Sequence, residues 1–64
     1  MNYIDLDIVQ EAFNINYNKL KDIIDDKNIR PYYAPNGDIL LSREQIEKLE
    51  KILKKDSHIL FEEE

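Results

Sequence analysis

The sequence predicts an α+β fold, mainly α, running helix, helix, β-hairpin, helix and then a short C-terminal tail. Three features predict it. Apolar residues recur at helical spacing in two stretches before residue 28, with Asn14-Ile15-Asn16 between them. Pro35-Asn36-Gly37-Asp38 separates two runs that alternate with a period of two. Ser42 stands three residues ahead of Gln45 at the head of a third apolar stripe, the spacing of a capping box.

The first helix opens at Asp5, an N-cap residue, and carries Leu6, Val9, Ala12 and Phe13 along one face. Asn14 and Asn16 compete for backbone hydrogen bonds and interrupt it; Asn16 caps the next helix and Ile15 anchors the turn. That second helix is expected from about Tyr17 to Lys27, with Leu20, Ile23 and Ile24 as its stripe and Tyr17, Asn18, Lys21 and Asp22 off the core. Beyond it, Ile29, Pro31 and Tyr33 alternate with Arg30 and Tyr32, a strand that Pro31 confines to a sheet edge. Asn36-Gly37 tolerates positive φ and closes a hairpin with a loop of about four residues onto Ile39-Leu40-Leu41. Tyr33 then shares core parity with Ile39 and Leu41, while Tyr32 and Leu40 point outward. The third helix turns Ile46, Leu49 and Leu53 inward with Ile52 beside them, and frays around Asp56-Ser57. Residues 1–55 form one domain and residues 56–64 an acidic tail carrying the apolar triplet Ile59-Leu60-Phe61.

With 64 residues the chain has room for one small core, burying about 60% of the surface its unfolded form exposes. Its 42% apolar content is too high for default disorder, and the absence of cysteine removes both disulfide and thiolate-metal staples. The apolar runs Ile39-Leu40-Leu41 and Ile59-Leu60-Phe61 are far too short to span a bilayer, and no basic region precedes an apolar stretch at the start. A soluble cytoplasmic protein without a membrane role is the expectation. The net charge of −5 opposes simple nucleic-acid binding, but its distribution is uneven. Asp5, Asp7 and Glu11 at one end, and Asp56, Glu62, Glu63 and Glu64 at the other, carry no accompanying base. Between Lys19 and Lys55 nine bases face seven acids, a surplus of two positive charges. The acidity belongs to the ends.

The element order, together with Tyr3-Ile4-Asp5-Leu6, Ala12-Phe13-Asn14-Ile15-Asn16, Leu20, Ile23-Ile24, Ile29 and the stretch Gly37-Asp38-Ile39-Leu40-Leu41-Ser42-Arg43-Glu44-Gln45-Ile46, resembles the winged helix-turn-helix of MerR-type regulators and phage excisionases. The likeness covers nearly all of residues 3–54. It departs where the family often has glycine after the second helix, here Lys27-Asn28, and where that helix usually opens with basic or small polar residues. The resemblance implies a small protein that binds double-stranded DNA, as an excisionase or transcriptional regulator of a phage or mobile element. On it, the second helix enters the major groove with Tyr17, Asn18, Lys19 and Lys21, and Asn18 pairs with adenine. The wing brings Arg30, Asn36 and Arg43 towards phosphates. The apolar triplet of the C-terminal tail either folds back on its own core or, in keeping with this reading, packs between the two subunits of a homodimer.

Each of these features also has a plainer reading. The polar residues of the second helix form an ordinary solvated face, and Asn36 and Gly37 simply make a turn. Glu44–Lys48, Glu47–Lys51 and Glu50–Lys54 are i, i+4 pairs that neutralise the third helix. Tyr32 and Leu40 either pack on each other across the strands or, with Ile59, Leu60 and Phe61, form a surface for a protein partner. That second possibility defines an alternative function, a non-enzymatic adaptor or inhibitor, motivated by the net acidity and by Asp22, Asp25 and Asp26 on the second helix. One histidine, His58, without cysteine defines no zinc site, and a single glycine builds no phosphate-cradling loop. No enzyme, no cofactor and no small-molecule substrate is expected.

Overall fold

Local capping decides where each helix begins and ends. The computed structural model describes residues 3–61. Strand β1 (Tyr3–Asp5) leads directly into helix α1 (Leu6–Phe13), where the Asp5 carboxylate accepts the Asp7 backbone N–H at 2.8 Å. Helix α2 (Tyr17–Asp26) is capped by Asn16, whose side-chain oxygen accepts from Lys19 N–H at 2.8 Å. Helix α3 (Arg43–Leu53) starts on the full capping box: Gln45 N–H donates to Ser42 Oγ and Ser42 N–H donates back to Gln45 Oε1.

All three helices stop in the same way. After α1, Ile15 N–H reaches back to Gln10 C=O around Asn14 at φ 56°; after α2, Ile29 N–H reaches Ile24 C=O around Asn28 at φ 56°. After α3, Lys55 N–H reaches Glu50 C=O around Lys54 at φ 54°. These are Schellman turns built on left-handed residues, none of them glycine. In the first two, the residue after the turn is an isoleucine that packs inward, so the stop also steers the chain into the core.

Between α2 and α3 lies a hairpin of β2 (Tyr32–Tyr33) and β3 (Ile39–Ser42). Its loop is Pro35-Asn36-Gly37, closed by Gly37 N–H to Ala34 C=O at 2.9 Å and Ala34 N–H to Asp38 C=O at 2.8 Å. Gly37 sits at φ 95° with open space where a Cβ would project, so the glycine is there for its backbone angle alone. The strand before the loop is shorter than the sequence suggests. Pairing is confined to Tyr32–Tyr33, because Ile29 is consumed by the α2 stop and Pro31 offers no N–H.

The sheet has a third strand the sequence did not predict. β1 pairs antiparallel with β3, giving the order β1-β3-β2, with Ile4 opposite Leu41, Asp5 opposite Leu40 and Tyr3 opposite Ser42. β2 is an edge strand, as Pro31 requires. The molecule is therefore α+β, three helices on a three-stranded antiparallel sheet. Leu6, Val9, Phe13, Leu20, Ile24, Ile29, Leu41, Ile46 and Leu49 form the core, and Ile4, Ile15, Ile23, Ile39, Ile52 and Leu53 pack against it.

Tyr33 corrects the expected pattern. It lies opposite Ile39 and shares its face, yet it is 62% exposed. Parity assigns a side chain to a face; it does not guarantee that anything covers that face at an edge. The tail folds back on its own chain. Ile59 and Phe61 pack against the core while Leu60 between them is 93% exposed. Ser57 is buried, its N–H and Oγ both donating to Glu50 Oε2 at 2.9 Å. Glu62, Glu63 and Glu64 lie outside the described residues. No helix among those described is long and apolar enough to cross a membrane.

Candidate nucleic-acid interface

The residues expected to meet DNA divide into two groups. Tyr17, Asn18 and Lys19 are exposed on the first turn of α2, a turn with no acidic residue. Tyr17 borders a shallow cleft whose other walls include Gly37, Asp38 and Ile39, so the start of α2 stands beside the tip of the hairpin, where Asn36 also lies exposed. Asn36 is turned inward on its own loop, its Oδ1 accepting from Asp38 N–H at 3.0 Å and its Nδ2 donating to Asp38 Oδ2 at 3.1 Å. The same cleft is lined by Asp5 and Asp7. The tip is more acidic than the sequence order reveals, because the end of β1 brings Asp5 to it and the first turn of α1 brings Asp7.

Arg30 and Arg43 form the second group at the base of the hairpin. Gln45 Nε2 donates to the Arg30 carbonyl, which ties the chain before β2 to the first turn of α3. Arg43 is four residues beyond Ile39, about 13 Å along an extended strand. Its guanidinium lies 5.6 Å from the centre of the Phe61 ring and its Nε 3.7 Å from Glu47.

Lys21 is not among the most exposed residues of α2, as the sequence suggested; it is half-buried on a flank. The outermost line is Asn18, Asp22 and Asp26, at i, i+4 and i+8, with Asp25 beside them, all exposed. The acids therefore occupy the middle and C-terminal part of the helix face, away from its first turn. They sit poorly with the helix dipole, and the Lys27–Asp26 pair at 3.7 Å, between exposed groups, offsets little of that.

The outward sheet face carries a tyrosine the sequence did not single out. Tyr3 and Tyr32 flank β3 on the same side, rings 5.7 Å apart and tilted by 48°, with half-buried Leu40 between their strands. Both tyrosines remain about half exposed. Alternation of Tyr3 with Ile4 was the available signal, but three residues are too few to establish a period. On α3, the expected i, i+4 pairs of Glu44, Glu47 and Glu50 with lysines do not form. Among the described residues the ion pair on that helix is Arg43–Glu47, since Glu50 turns to Ser57 instead.

Among the described residues no three His, Asp or Glu side chains gather in a metal-binding arrangement. Compared with protein-family models, characterised proteins and solved structures, the chain matches none of them.

Proposed function

We propose that this chain is a small DNA-binding protein of winged helix-turn-helix type, excisionase-like or regulatory, that meets duplex DNA with the first turn of α2 and the hairpin as its wing. The observation that carries the reading is the exposed, acid-free first turn of α2 beside the hairpin tip. A helix entering a major groove end-on presents that turn to the bases, and its unpaired N–H groups favour nearby phosphate. Asn18 supplies a bidentate donor and acceptor for adenine, Tyr17 and Lys19 flank it, and Arg30 with Arg43 reaches backbone phosphates at the base of the wing. Asp22, Asp25 and Asp26 repel the phosphates on either side of the groove. Binding is therefore weak and is sought at low ionic strength.

Anisotropy of a labelled duplex pool at low ionic strength tests this. Asn18→Ala and Lys19→Ala weaken binding, whereas Asp22→Asn with Asp26→Asn tightens it on the order of threefold to tenfold. Absence of duplex binding by both the native chain and the double asparagine variant overturns the proposal.

The exposed Tyr3–Tyr32 pair and the acidic line on α2 favour a second reading, a protein-binding adaptor or inhibitor. Tyr32→Ala with Leu40→Ser removes a captured partner in that case, and an unchanged set of captured proteins counts against it.

A further inference from the structure

The tail is attached without any strand pairing. Among the described residues no backbone–backbone hydrogen bond joins residues 56–61 to the sheet. It is held by Ser57 on Glu50, by Ile59 and Phe61 against the core, and at its root by Lys55 Nζ donating to the Phe13 carbonyl at 3.2 Å. A segment held this way detaches without breaking a ladder. Its last described residue, Phe61, occupies the face of the Arg43 guanidinium, while Glu47 approaches Arg43 Nε. Arg43 is thus engaged by this chain's own groups at the base of the wing.

We propose that the tail is an autoinhibitory strap: seated, it holds Arg43 on Phe61 and away from phosphate, and released, it frees Arg43 for the DNA backbone. This rests on the DNA-binding reading and adds its regulation. The strap is a competitor for one phosphate contact, so its effect appears both in affinity and in salt dependence.

The test compares the native 64-residue chain with Phe61→Ala, Phe61→Leu and Phe61→Ala combined with Arg43→Ala, each checked for folding by thermal melting, on a short random-sequence duplex. Leucine keeps apolar packing and removes the ring face, so it answers the question if alanine loosens the fold. Release of Arg43 tightens binding on the order of threefold and steepens the slope of log affinity against log salt by about 0.9. Adding Arg43→Ala reverses both changes. If the native chain binds duplex and neither Phe61 variant binds more tightly or more steeply, the strap is refuted and the DNA-binding reading stands. If none of the four proteins binds duplex, both fall together.

Discussion

Lys54 holds a left-handed backbone angle, φ 54°, at the end of α3, a conformation that costs a residue with a Cβ roughly 1–2 kcal/mol. Asn14 and Asn28 do the same work with side chains better suited to it. Lys54→Gly should therefore stabilise the domain by about 1 kcal/mol, less whatever flexibility glycine adds to the unfolded chain, and raise Tm by about 4–8 °C in a calorimetric melt. Two residues on, the backbone N–H of His58 donates to Asp56 Oδ1 and holds its carboxyl below the ordinary carboxylate range, and the nearby imidazole adds to this. A depressed folded-state value means the contribution is present above the ordinary carboxylate pKa and is lost as pH falls through the lowered one. Asp56→Asn keeps an acceptor and removes the charge. It should melt slightly below the native chain at neutral pH, with the gap closing in acid.

At the scale of elements, the capping box shows how local chemistry fixes boundaries. Ser42→Ala removes the acceptor for Gln45 N–H and should cost about 1 kcal/mol, read as a lower denaturation midpoint with an unchanged slope. Features of this kind were legible in the sequence. Asp5, Asn16 and Ser42 each cap the helix they were expected to cap, and Asn28 turns the chain where a glycine is common in the resembling family. Strand β1 was not legible, because Tyr3-Ile4-Asp5 is defined by partners on β3 far along the chain rather than by its own period. The α3 ion pairs were misread for a related reason. Glu50 is at the right spacing for Lys54, but Ser57 offers it two donors from a tail whose path the sequence does not state.

Across the whole molecule, 28 × 25 × 19 Å in extent, the charges sort differently from their order in the chain. The sequence places Asp5 and Asp7 at a remote terminus, and the fold carries them to the cleft shared by Tyr17 and Asp38. Of the residues expected to contact DNA, Tyr17, Asn18, Lys19, Arg30, Asn36 and Arg43 are exposed and Lys21 is half-buried. Their partition into a tip and a base required the three-dimensional arrangement. The tail, expected either to fold back or to bridge subunits, covers its own core with Ile59 and Phe61 and leaves Leu60 facing out.

Gln45 joins these scales. Its oxygen accepts from Ser42 at the start of α3 and its nitrogen grips the Arg30 carbonyl at the entry to the hairpin. The hairpin is consequently tied at its root to the first turn of α3, the same turn from which Arg43 meets Phe61, so one glutamine side chain sets both where a helix starts and how a sheet edge is moored.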